Sequence, residues 1–467
     1  MIESSLTSAA AENGDYRRFL RALSRIAEAD VSVSVPGLGT PLRFDRTTPL
    51  GADQAWLAQA YGVAFAYPYT NGTTGLNTMA LLSLVPQGAK VLLQRNSHVS
   101  LYAPIVLVGA TPVFMQPAYS DHLGVDLAVE PATLARILDD DPTIAVVALT
   151  SPNYFGIVGD IQGCVDAALA RGKIVMVDAA HGAYYRFHPA MPQAAEQTGA
   201  HIVTQSTHKT LAALSQGSLA LFNDTEFVLS RFYEVANTGF VSTSFSYPIL
   251  MSITVAVRQM VEQGQEMLER AIGVAHCVRS GIAKTEKLST FGPDELSAHS
   301  PHMTLDPLRV TVDVTGLGMT GFEVEDLLID EYRIYPEMAT LSTVLFLFTP
   351  ADKASAGKTV VRALQDLDRR LSGTRRRVTS LRVPTIPKQL CAPREMFFSH
   401  NRKRVPVDEA QGLVSCETIA AYPPGSAIIV AGEEITYDVI AYLKEFVAQR
   451  GILKGASDAA FKTILAV

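Results

Sequence analysis

The sequence predicts an α/β protein: a mainly parallel seven-stranded sheet in a large domain, then a smaller C-terminal α+β domain. Two observations predict it. Between Trp56 and Asn223, seven short apolar runs alternate with helical patterns, the pattern of a sheet covered by helices on both faces. From Leu308 the spacing changes to a short strand–helix–strand–helix series. The 467 residues, 48% hydrophobic, are long enough for two or three domains with sizeable cores.

Taken in order, Tyr16–Asp30 reads as a helix, and Pro36-Gly-Leu-Gly-Thr-Pro41 as a loop. The expected strands are Ala64–Tyr67, Lys90–Leu93, Thr111–Met115, Ile144–Leu149, Ile174–Val177, Ile202–Thr204 and Ser218–Phe222. Helices between them include Gly75–Leu84 and Ile161–Ala170. A long helical pattern over Phe245–Ser289 leads out of the large domain. Beyond it come strand Arg309–Val314, helix Gly321–Tyr332, strand Thr343–Thr349, helix Ala354–Leu371 and the apolar run Ala427–Ala431. The expected division is an N-terminal helix and entrance loop over 1–55, a cofactor-binding large domain over 56–300 and a small domain over 301–467.

Charge is modest, 39 Lys+Arg against 46 Asp+Glu, without a basic stripe for nucleic acid or a polybasic cluster for a membrane surface. No window approaches an apolar membrane span, and Met1–Arg17 lacks the apolar core of a signal peptide. Cys164, Cys277, Cys391 and Cys416 show no metal-type spacing and fit a reducing compartment. A cytoplasmic protein is the expectation, with no metal, nucleic-acid or membrane partner.

Four segments carry chemistry. Lys173-Ile-Val-Met-Val177 reads as a buried parallel strand, and Asp178 closes it. A carboxylate there needs a partner. It reads either as a helix cap or as the acid facing a protonated pyridine, with His181 holding it or packing on the ring. Downstream, Ser206-Thr-His-Lys209 precedes the apolar Leu211-Ala-Ala-Leu214. Desolvation in that setting lowers a lysine's pKa and suits a Schiff base with pyridoxal phosphate (PLP). Ser206 is placed to bond a phosphate, and His208 to touch the cofactor or move a proton. Asn71-Gly-Thr-Thr-Gly-Leu-Asn77 lies between strand and helix and reads alone as a tight capped turn; with Asp178 and Lys209 downstream, its glycines and free N–H groups favour a phosphate. Arg95-Asn-Ser-His98 follows a strand at the carboxyl edge, so His98 is placed to stack on a planar cofactor or to cap the next helix.

With these residues in place, the chain resembles the Orn/Lys/Arg decarboxylase family, on the fold-type-I (aspartate aminotransferase-like) scaffold. Thr150-Ser-Pro-Asn-Tyr154-Phe-Gly156, Asp178-Ala-Ala-His181-Gly182, Ser206-Thr-His208-Lys209, Gln216, Pro393-Arg-Glu395, Tyr422-Pro-Pro-Gly425 and Gly432-Glu433 carry the resemblance. It implies that Thr73, Thr74 and Gly75 contact the phosphate, that His98 stacks on the ring, and that Ser242 reaches the partner subunit's phosphate in a homodimer with its sites at the interface. The pattern is departed from at Leu38, from Thr48 to Asp53, at Val99 and at Phe245. Leu38 and Thr48 fall in the entrance loop, which in the family helps to build the substrate pocket.

The expectation is therefore PLP-dependent decarboxylation of arginine, lysine, ornithine or a derivative, with Lys209, His208, Asp178 and His98 as the catalytic set. The altered entrance loop keeps a second class open: an aminotransferase, an eliminase or an O2-dependent oxidase. Glu337 and Asp53 are candidates to pair with a basic side chain, each equally readable as a solvated surface charge.

Overall fold

The computed structural model describes residues 49–224, 227–241, 246–371, 383–423 and 425–467. The helix expected over Tyr16–Asp30, the loop around Leu38, and Ser242 and Phe245 lie outside the described residues.

Helix α1 (Pro49–Tyr61) leads into β1 (Phe65–Tyr69), and α2 (Gly72–Leu84) follows within three residues. The sheet continues with β2 (Lys90–Gln94), β3 (Thr111–Met115), β4 (Ile144–Thr150), β5 (Ile174–Asp178), β6 (Ile202–Gln205) and β7 (Ser218–Phe222). Its order is β1-β7-β6-β5-β4-β2-β3. The strands β6-β5-β4-β2-β3 are parallel, while β7 runs antiparallel to both its neighbours. β1 extends through Pro68 to Tyr69, past the expected end at Tyr67. It is an edge strand, where a residue without an N–H costs no ladder bond on the open side.

β5 and β7 are buried almost throughout because helices cover both faces, so their apolar runs are continuous rather than alternating. Leu57, Leu92, Val147, Val177 and Leu221 pack on one face, and Leu76, Leu93, Ala148, Met176 and Phe222 on the other.

Helix α3 (Tyr247–Ile282) carries the chain to a four-stranded antiparallel sheet. Its central strands are β8 (Arg309–Asp313) and β9 (Thr343–Leu347), backed by α4 (Gly321–Tyr332) and α5 (Ala354–Arg370). The last part forms a three-stranded sheet, with strand Ile419–Tyr422 between Ser426–Ile429 and Ile452–Lys454.

A buried ion pair ties this last part to the main sheet. Arg95, just after β2, donates to Glu433 through both terminal nitrogens at 2.7 and 2.8 Å, and to the carbonyl of Ile428 at 2.9 Å. Arg95 and Glu433 are 4% and 0% exposed. The second Glu433 oxygen also accepts from the Val430 N–H at 2.7 Å. The pair fixes the segment that carries Gly425 and Ser426 against the main sheet.

Replacing Glu433 with Gln strands a buried guanidinium. The expected loss of stability is about 3–5 kcal/mol, read from urea unfolding midpoints; a change within error would show that the pair is not desolvated in solution.

Candidate active site

The parallel strands bring their carboxyl ends to one edge. Thr150, Asp178 and Thr204 stand side by side in register at the ends of β4, β5 and β6. Asp178 is 3% exposed, so its carboxylate must find donors. One oxygen accepts from the Ala180 N–H at 3.0 Å and the other from the side-chain amide of Asn77 at 2.8 Å. Asn77, on α2, donates also to Ser100 Oγ at 2.9 Å and accepts from Thr204 Oγ1 at 2.7 Å. Asp178 is thus held by Asn77 and its own turn. The expected alternative, His181 as its support, does not hold: both His181 nitrogens are engaged elsewhere.

Those engagements fix a proton. Arg309, 0% exposed on β8, donates to His181 Nδ1 at 2.8 Å and to the Tyr154 carbonyl at 2.7 Å. A guanidinium only donates, so Nδ1 is the acceptor and the ring proton sits on Nε2. Nε2 lies 3.2 Å from Lys209 Nζ. An ammonium has no lone pair to offer an N–H, so this contact is a hydrogen bond only when Lys209 is the free amine. Desolvation pushes the His181 pKa well below its ordinary value, helped by the Arg309 and Lys209 charges. Desolvation also lowers the Lys209 pKa, against the pull of Asp178 and Glu337.

Lys209 sits in a single helical turn, Thr207–Thr210. Next to it, His208 Nδ1 lies 2.7 Å from the carbonyl of Gly217. A carbonyl only accepts, so Nδ1 carries the proton and Nε2 keeps its lone pair.

The other end of the site is the start of α2, which begins at Gly72 rather than Gly75. Gly72 has a positive φ of 68° and donates to the Gln216 carbonyl. Asn71 provides no side-chain cap, so the first-turn N–H groups are uncapped by it. Thr73 Oγ1 meets Ser206 Oγ at 2.7 Å, and Thr74 is exposed beside them. His98 caps the turn Val99–Leu101, its Nδ1 accepting from the Ser100 N–H at 3.2 Å. Desolvation lowers the His98 pKa, opposed by Asp178.

One cavity of about 570 Å³ joins these groups. Thr73, Thr74, Gly75, His98, Asp178, His181, Ser206, His208 and Lys209 all line it. The major-domain model of the Orn/Lys/Arg decarboxylases matches residues 22–356, and the model of their C-terminal domain matches 378–453. The chain belongs to the Orn/Lys/Arg decarboxylase family.

An arginine decarboxylase of Halalkalibacterium halodurans is 30% identical over 413 residues, 88% of this chain and 84% of that protein. The solved constitutive lysine decarboxylase of E. coli superposes with a TM-score of 0.78 at 21% identity, covering 98% of this chain and 76% of that one. A serine palmitoyltransferase structure containing PLP superposes at 0.52, with 18% identity over 69% of this chain and 77% of that one. The fold is that of the fold-type-I PLP enzymes, and the protein is an amino-acid decarboxylase.

Some residues that build this decarboxylase's site were not singled out from the sequence. Asn77 closes a motif whose glycines and threonines drew attention, and its amide reads as an ordinary helix residue. Arg309 opens a strand 100 residues after Lys209, and nothing local marks it. Gly156 at last has a reason: a Cβ there would stand 2.3 Å from Arg309 Cδ. Of the two acids proposed for a basic substrate, Asp53 lies on α1, where Arg258 and Thr254 offset its charge. Glu337 accepts from Tyr154 Oη at 3.2 Å and is exposed.

The His181 geometry has a pH signature. The ring's pKa is near 6.5 in the unfolded chain and lower in the fold. Its stabilisation is therefore present above 6.5 and is lost as the pH falls through the folded value. Between about pH 7 and about pH 5, the His181→Phe protein should lose stability less steeply than the wild type in urea melts. Parallel slopes would show that His181 titrates normally.

Proposed function

We propose that this cavity takes PLP and removes the α-carboxyl group of a basic L-amino acid (arginine, lysine or ornithine), giving the amine and carbon dioxide. The observation that carries the reading is that Lys209 and Asp178 face one cavity, in a chain of the decarboxylase family. The donor set suits the coenzyme: an amine of lowered pKa for its aldehyde, a buried carboxylate for its ring nitrogen, and two hydroxyls beside an uncapped helix start for its phosphate. Thr207 Oγ1, next to Ser206, is buried and has no partner among the described residues.

When bound through Lys209, PLP supplies the electron sink that takes the pair released as carbon dioxide leaves. Asp178, held by Asn77, would keep the ring nitrogen protonated. Thr73, Thr74, Gly75 and Ser206 would hold the phosphate, and His98 would stack on the ring. Arg309 sets the His181 tautomer, and His181 Nε2–H favours the nucleophilic free amine at Lys209. Lys209, once displaced by the substrate amine and carrying the proton that amine gives up, would return a proton to Cα. Neutral His208 has committed its N–H to Gly217, and burial lowers its pKa.

We take 56–300 as the part that binds the cofactor and 301–467 as the part that closes the site, because Arg309, Gly425 and Ser426 reach it from there. A homodimer with its sites at the interface, Ser242 contacting the partner's phosphate, rests on the family resemblance. A cytoplasmic setting rests on four unpaired cysteines.

Lys209→Ala should abolish the borohydride-trappable chromophore and carbon dioxide release; a surviving covalent chromophore overturns the lysine assignment. Asp178→Asn should retain PLP while turnover falls about 10²- to 10³-fold. Release of a keto acid or uptake of O2 in place of carbon dioxide would move the chain to the other reaction class.

A further inference from the structure

Asp126 is the one acid in this cavity that the proposed chemistry leaves unused. It ends the short strand Val125–Asp126, paired with Tyr119–Ser120, and it lines the same cavity as Lys209. Its main-chain carbonyl accepts from Asn153 Nδ2 at 2.8 Å, which fixes the backbone to the loop after β4. Its carboxyl is different. Oδ1 is shut off from solvent and no donor among the described residues reaches it, while the side chain as a whole stays partly exposed where it lines the cavity. Among the described residues no cation offsets its charge; burial alone pushes its pKa up to about 6. Two phenols stand near enough to feel that charge, Tyr119 and Tyr442, and both are pushed up by burial first and by Asp126 next.

The two buried acids closest to Lys209 and Arg309 have their donors. Asp178 has Asn77 and Ala180, and Asp306 has Arg309, Tyr184 and Tyr185. A partly desolvated carboxylate with one oxygen lacking a donor is costly unless a ligand completes it from the cavity side. What completes a carboxylate is a cation with N–H donors. Glu337 and Asp53 are weaker claimants, since each already has a partner.

We infer that Asp126 receives the cationic end of the substrate's side chain, guanidinium or ammonium, and so sets the preference for a basic amino acid. The inference rests on the decarboxylase reading and adds the residue that selects the substrate. Asp126 acts on specificity alone, since the reacting carbon belongs to Lys209 and Asp178.

The test uses the PLP-loaded enzyme with Asp126→Asn, which keeps shape and removes charge. Carbon dioxide release is compared for arginine and its neutral isostere citrulline, and for lysine and norleucine. Binding of n-butylguanidinium to the same proteins is followed by calorimetry. The variant should raise KM for the cationic substrates at least about tenfold, with kcat changed far less, and should weaken n-butylguanidinium by a similar factor. Neutral substrates should be unaffected, so the cation-to-neutral ratio collapses. An unchanged ratio with unchanged n-butylguanidinium binding overturns the inference while leaving the decarboxylase reading intact. If the wild type releases carbon dioxide only from neutral amino acids, the substrate reading fails; loss of n-butylguanidinium binding in the variant would still support a cation site at Asp126, and equal binding would overturn it. Should Asp126→Asn fold poorly, Asp126→Ser, smaller and also uncharged, gives the same comparison.

Discussion

The site depends on one buried amide. Asn77 is 1% exposed and meets three other parts of the fold: Asp178 at the end of β5, Thr204 at the end of β6 and Ser100 after β2. A carboxylate at the end of an apolar strand has few local donors, and Asn77 brings one from the helix above. The same helix carries Thr73. Positions 73 and 77 are four residues apart, on one face and about 6 Å apart along the axis. Thr73 meets Ser206 while Asn77 meets Asp178, so the acid end and the hydroxyl end are spaced by a single rigid turn. Moving that helix would unmake both ends together.

The second fixed element comes from the far side. Arg309 and Asp306 are both fully buried, a placement that stabilises nothing unless each nitrogen and oxygen finds a partner. They do: Tyr184, Tyr185 and the Leu308 N–H serve Asp306, while the Tyr154 carbonyl and His181 serve Arg309. The result is a network that decides which nitrogen of His181 carries the proton. Through it the antiparallel sheet of the C-terminal half sets the polarity of a hydrogen bond at Lys209. Gly156 leaves room for the guanidinium to pass.

Much of this was legible in the sequence because the chemistry sits in contiguous runs. Asp178 and His181 share a turn, as do Ser206, His208 and Lys209, and apolar runs place both turns after strands. The unread parts are those made by distance or direction. The antiparallel course of β7 leaves no mark in composition, since a strand buried on both faces reads alike either way. The expected start of α2 at Gly75 missed its first turn, because Gly72 and two threonines look like a loop. His181 was expected either to hold Asp178 or to pack on the ring; the first does not hold, because the network from Arg309, 128 residues away, claims its Nδ1. The entrance loop and Ser242 fall outside the described residues.

The two ends of the cavity differ in how completely their polar groups are satisfied. Around Asp178 nearly every donor has its acceptor, which is what a rigid scaffold for a resident group requires. Around Asp126 one carboxyl oxygen has no donor among the described residues, and burial raises its pKa. Such a group discriminates more strongly than a satisfied one. A cationic side chain relieves the cost, whereas a neutral one of the same shape seals the carboxyl away from water and makes it worse. Selectivity then comes from the penalty on the wrong ligand as much as from attraction to the right one. A decarboxylase whose coenzyme end is held rigid can therefore change substrate through this end alone, by losing or moving one carboxylate, without disturbing the lysine and the acid that do the chemistry.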